Sequence, residues 1–176
     1  DMGALALNAA DYPDIIFARG TLSTQTWQTG KTVRVKDAVN VPQWNTLTIE
    51  PGVDVLFDAD VPFVANGFVR AYGTEAQNIR FMPGTSAEWG GIRLSGGQAS
   101  TFQYVQFSGG KAEGTSPSNL GGALMVTGAG TSVNVSNCLF SGNRIYGGTQ
   151  DSSGAVLMVR NGHNPIFINC TLADNW

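Results

Sequence analysis

The densest group of chemistry-bearing side chains is Asp54, Asp58 and Asp60. Carboxylate oxygens at alternating positions are the donors Ca2+ takes, about 6–8 of them per ion. Solvated carboxylates rimming a turn are the more ordinary reading of the same spacing. Ca2+ is the cofactor to test here, and no other is expected. His163, the lone histidine, sits in a turn-like run, Asn161-Gly162-His163-Asn164-Pro165, with no Ser, Cys or acid partner legible beside it. From Gly121 onward the only acids are Asp151 and Asp174, and there is no Lys. Arg144 and Arg160 therefore lack the clustered carboxylates that glycoside hydrolysis needs. No GxSxG elbow and no phosphate-cradling GxxxxGK[ST] loop occurs. No residue is assigned a catalytic role.

Aromatic side chains offer a second chemistry, stacking on the apolar C–H faces of sugar rings. Trp27, Trp44, Tyr72, Trp89, Tyr104 and Tyr146 are the pool. Trp89, Tyr104 and Tyr146 are the ligand-binding candidates, against the plainer expectation that such rings fill the core.

These residues must be positioned by a repeating framework. Gly121-Gly122-Ala123-Leu124 returns as Ser153-Gly154-Ala155-Val156, and Val135 to Asn143 returns as Phe167 to Asn175, both displaced by 32 residues. A shared offset for two blocks is the sequence sign of a solenoid. It makes Cys138 and Cys170 vertical neighbours. Adjacent strands lie ~4.8 Å apart, inside the window of roughly 4.4–6.8 Å between disulfide Cα atoms. Two stacked thiols and a bridge both stay open. Asn137, Asn169, Asn143 and Asn175 read as a structural ladder of inward amides. Gly122 and Gly154 read as backbone positions closed to a side chain.

Earlier blocks such as Trp89-Gly90-Gly91-Ile92, Gly67 to Gly73 and Thr46 to Gly52 continue the pattern, each an apolar/polar alternation ended by a turn residue. The expected fold is all-β: a single-stranded right-handed parallel β-helix of about five coils with an N-terminal cap. A β-sandwich would not put Asn-Cys and Gly-Ala at one offset, and the blades of a propeller repeat at about 40–50 residues. Residues 1–45 form the cap and first irregular coil, and residues 46–176 the coils. The stop at Trp176, just after a repeat, reads as a truncated C-terminus.

Composition narrows the partners. Charged residues make up 13% of the chain and the net charge is −3, which argues against the Lys/Arg clusters nucleic acid requires. No apolar run approaches the ~20 residues of a spanning helix, so no membrane insertion by this segment is expected.

Leu47-Thr48-Ile49-Glu50-Pro51-Gly52-Val53, Gly73-Thr74, Ile79-Arg80-Phe81 and Trp89-Gly90-Gly91-Ile92 resemble the opening coils of pectin-lyase-like β-helix domains in bacterial surface and secreted proteins. Gly121-Gly122-Ala123-Leu124 and Phe140-Ser141-Gly142-Asn143 are similar to the GGA(I/L/V) and FxxN motifs of polymorphic outer-membrane-protein adhesins. Ser153 and Leu172 depart from that pattern in the second copy. The resemblance implies an extracellular or cell-surface scaffold, an adhesin contacting a glycan or host-surface ligand. It also admits a polysaccharide lyase or glycoside hydrolase. End-to-end self-association into a fibre is a third expectation.

Overall fold

A computed structural model describes residues 13–114, 118, 120–146, 154–161 and 164–176. Residues 1–12 of the expected cap, with Asp151, Ser153 and His163, lie outside the described residues. Within them the chain is all-β, and no helix is long and apolar enough to cross a membrane.

The strands, in chain order, are β1 (Ile15–Thr21), β2 (Gln25–Trp27), β3 (Thr32–Val41), β4 (Thr46–Ile49), β5 (Asp54–Phe57), β6 (Phe63–Ala65) and β7 (Phe68–Tyr72). They continue as β8 (Ile79–Pro83), β9 (Ile92–Leu94), β10 (Ala99–Gln103), β11 (Val105–Ser108), β12 (Lys111–Ala112) and β13 (Leu124–Val126). The last are β14 (Ser132–Ser136), β15 (Leu139–Ser141), β16 (Arg144–Ile145), β17 (Leu157–Val159), β18 (Ile166–Ile168) and β19 (Thr171–Ala173).

Every pairing between them is parallel, and they lie in several sheets rather than one. The six-stranded sheet runs β18-β14-β10-β7-β4-β2. The 11-stranded sheet branches at the long β3, whose first half pairs with β5 and leads through β8, β11 and β15 to β19. The second half of β3 pairs with β6 and leads through β9 and β13 to β17. Leaving aside β1, β12 and β16, the chain visits these three ladders in constant cyclic order, one strand to each. A short β12–β16 pair stands apart.

Register keeps like beside like. Val55, Phe81, Phe107, Phe140 and Leu172 form one in-register column. Phe107 and Phe140 stack at 4.7 Å between ring centroids. Ile49, Ala71, Phe102, Val135 and Phe167 form a second. Phe63, Ile92, Leu124 and Leu157 form a third. Period-two alternation sends these side chains to one shared interior, where all but those of the last strands are buried. A column of parallel strands satisfies every backbone group only by adding another strand, so the last members suffer: Leu172 is 57% exposed where Phe140 is 0%.

The sequence offset needs one correction. Leu124 pairs with Leu157, so the counterpart of Gly154 is Gly121 rather than Gly122. Backbone conformation agrees, with φ +63° at Gly121 and +79° at Gly154. The 32-residue match is kept by β15 and β19, which pair Leu139 with Thr171. Between paired positions, the run from Val159 to Ile166 is one residue shorter than that from Val126 to Asn134, and this absorbs the slip.

Candidate functional site

Two of the candidate aromatics are interior. Trp89 is fully buried, stacked on Phe57 at 4.1 Å, and its indole N–H donates to the Ser108 carbonyl at 2.8 Å. It cannot meet a ligand; its place is core packing. Trp27 is buried likewise. Tyr104 is half-buried with φ +49°. Tyr146 is 38% exposed, donates its hydroxyl to Glu88 Oε1 at 2.7 Å, and has Lys111 Nζ 5.9 Å from its ring centroid.

The acidic triad does not converge. Asp54 takes the guanidinium fork of Arg80, and Asp58 that of Arg34, with Arg34 Nε 2.8 Å from Oδ2. Lys111 Nζ sits 2.8 Å from Asp60. Among the described residues no group of three His, Cys, Asp or Glu side chains could hold a metal ion. The physical reason is that each acid meets a different cation, Asp54 the in-register Arg80 of β8, Asp58 the Arg34 of β3 and Asp60 the Lys111 of β12, and these occupy the oxygens Ca2+ would need. Burial pushes the Asp58 carboxyl up, but the Arg34 fork and the Thr85 N–H and hydroxyl outweigh it and hold it below its ordinary 3.8.

Of the residues read as a structural ladder, Asn143 and Asn175 join side chain to side chain, Asn143 Nδ2 donating to Asn175 Oδ1 at 2.9 Å. Asn137 and Asn169 instead share a left-handed backbone, φ +53° and +52°. Cys138 and Cys170 are free thiols immediately before the neighbouring strands β15 and β19, tied by the Thr171 N–H to Cys138 carbonyl bond of 2.9 Å. Burial pushes the Cys138 thiol up to about 12, and Cys170 beside it adds to this. A Cβ on Gly122 would meet the Ala155 carbonyl oxygen at 2.4 Å.

A groove of about 830 Å3 lies elsewhere, over the outward face of β6, β9 and β13. Val64, Arg93 and Met125 pair in register across these strands and make its floor. The alternation Ile92-Arg93-Leu94 sends the two aliphatics inward and the arginine out. Lys111, Glu113, Gly114 and Ser118 line it as one wall. Arg93 fastens the end of that wall, its Nη1 donating to the carbonyls of Leu120 and Gly121, both at 2.5 Å, and its Nη2 to that of Ser118 at 3.4 Å. Burial lowers the guanidinium to about 10, so it stays charged at neutral pH. Lys111, between Asp60 and Glu113 at 2.8 and 2.7 Å, is raised by both partners. Arg160 lines the groove beside Thr127.

The groove escaped the sequence because backbone carbonyls fix it, and these carry no residue signature. One signal was present: Leu124-Met125-Val126 is apolar at all three positions, and all are buried. A strand apolar on both faces is one covered on both faces.

Comparison with known proteins finds no matching family model, no matching curated protein and no matching solved structure.

Proposed function

We propose that the chain is a right-handed parallel β-helix of about five coils, serving as a non-catalytic scaffold or adhesion module of a bacterial surface or secreted protein. The observation that carries this reading is the constant cyclic order in which the chain visits its parallel ladders. Stacked in-register columns make a rigid rod whose stability is a sum of neighbour contacts, so loops and outer faces are free to vary for binding. The ion pairing of Asp54, Asp58 and Asp60 further favours display over catalysis. The resemblance of the opening coils to those of surface and secreted β-helix domains supports an extracellular location.

The test is incubation of the chain with a panel of neutral and acidic polysaccharides, following reducing ends and absorbance of unsaturated products, alongside retention on immobilised glycans and host-cell surfaces. Retention without product is expected. Sustained product release would replace the scaffold with a lyase or hydrolase.

A further inference from the structure

We propose that the outward face of β7, within the six-stranded sheet, binds a glycan through an anionic sugar, its carboxylate or sulfate group on the Arg70 guanidinium and its ring against Tyr72. This rests on reading the chain as a binding scaffold, and names the ligand's chemistry. Alternation along Phe68-Val69-Arg70-Ala71-Tyr72 buries Val69 and Ala71 and turns the other three side chains outward. The Arg70 guanidinium carbon lies over the Phe68 ring, 5.6 Å from its centroid, so the ring supports the planar fork from one side. Such a fork matches a carboxylate or another oxyanion with two parallel hydrogen bonds.

Register leaves that fork to a ligand. Arg34 of β3 and Arg80 of β8 each have theirs taken by an aspartate. The register neighbours of Arg70 are instead Thr48 and Thr101, and among the described residues it has no ion pair or hydrogen bond. Glu50, the acid that follows β4, stands level with Tyr72 and accepts the Thr29 N–H on Oε2 at 2.9 Å. Tyr72 is 43% exposed and offers a ring on which the C–H face of a sugar stacks. The Thr48 and Thr101 hydroxyls beside Arg70, and the Gln103 amide beside Tyr72, suit a ligand rich in hydroxyl groups. An extended peptide fits this face less well: β7 is paired on both sides, by β4 and β10, so the main-chain bonds that seat such a peptide have no partner. The chain's net charge of −3 gives polyanions no general attraction, so selection falls to the fork itself.

Calorimetric titration of the whole chain with three short oligosaccharides tests this: an oligogalacturonate carrying only carboxylates, a sulfated oligogalactan carrying only sulfates, and a neutral malto-oligosaccharide. Binding of at least one anionic probe, and tighter than the neutral one, is expected; whichever of the two binds more tightly names the oxyanion. Arg70→Gln should weaken that binding about tenfold or more, the usual size of a charge-assisted bond. Tyr72→Ala should weaken it about threefold or more. Both side chains are exposed, so each variant should melt with the parent. Lys36→Gln, which removes an exposed cation standing over Phe17 on another sheet, should leave the affinity unchanged. Binding of neither anionic probe, equal affinity for the neutral one, an affinity untouched by Arg70→Gln or by Tyr72→Ala, or an equal loss in Lys36→Gln overturns the proposal. Retention on host-cell surfaces that survives Arg70→Gln in any of those cases leaves the scaffold reading standing.

Discussion

Asn137 and Asn143 flank β15, and each is echoed in the following repeat by Asn169 and Asn175, yet the two columns use asparagine for different properties. Asn143 is fully buried and works through its side chain. Its Oδ1 accepts from the Gly110 N–H at 2.9 Å, and its Nδ2 donates to the Phe107 carbonyl at 3.0 Å and to Asn175 Oδ1. Asn175 repeats the move, donating to the Phe140 carbonyl at 2.9 Å. Asn137 and Asn169 are used for backbone conformation, at φ +53° and +52°, where asparagine is tolerated better than other non-glycine residues. The same column holds Tyr104 at +49°. One corner demands an amide; the other demands only a turn.

The sharpest way to break this contrast is Asn143→Leu. It strands the Gly110 N–H and the Phe107 carbonyl in the interior, and each buried orphan costs about 1–3 kcal/mol. A loss of about 3–5 kcal/mol in denaturant titration is expected, with no comparable loss for Asn137→Leu. Equal losses at the two sites would erase the distinction.

Gly154→Val probes the backbone class at a second corner. Its φ of +79° excludes a β-branched residue, and a Cβ there would meet the Leu157 carbonyl oxygen at 2.2 Å. A loss of about 2–3 kcal/mol is expected from that mechanism. It should register as increased hydrogen exchange confined to β17 and β18, because this end of the ladders holds its side chains least tightly: Ile168 is 54% exposed and Leu172 57%. Exchange rising equally in β5 and β8 would contradict the neighbour-by-neighbour coupling assumed for the ladders.

These corners also show what a sequence can disclose. Spacing makes the Asn and Cys repeats visible, and alternation makes the strands visible, because both follow directly from in-register stacking. Spacing does not say which property of a residue is used, so Asn137 and Asn143 look alike until φ and hydrogen bonds separate them. Nor does it reveal a one-residue slip, because Gly121 and Gly122 stand side by side and either matches Gly154. Trp89 looked like a ligand platform for a related reason: whether an indole faces in or out depends on the Ser108 carbonyl that receives its N–H, 19 residues away. The groove was hidden most completely, since Arg93 alone is a single outward cation and gains meaning only from the carbonyls of Leu120 and Gly121.

A milder perturbation uses the left-handed corner directly. Asn137→Gly keeps the conformation and should shift stability by no more than a few tenths of a kcal/mol, whereas Asn137→Ala should cost about 1 kcal/mol. Paired thermal melts decide it. If glycine were the worse of the two, the Asn137 side chain rather than its backbone would be carrying the corner.

The smallest effect is expected at Tyr104, and there the sign is the test. Tyr104 keeps its corner through backbone bonds, its N–H donating to the Ser136 carbonyl at 3.0 Å and its carbonyl accepting from the Ile79 N–H at 3.1 Å. Both survive substitution. An L-residue with a bulky side chain in this region carries a strain of roughly 1–2 kcal/mol, less for asparagine. Against that relief stands the packing lost from a half-buried ring. Tyr104→Asn, which gives the corner the residue it has at positions 137 and 169, should therefore stabilise the chain by about 0.5 kcal/mol. A destabilisation beyond about 1 kcal/mol would mean that the ring contributes more than the turn costs, and the column would be two kinds of corner rather than one.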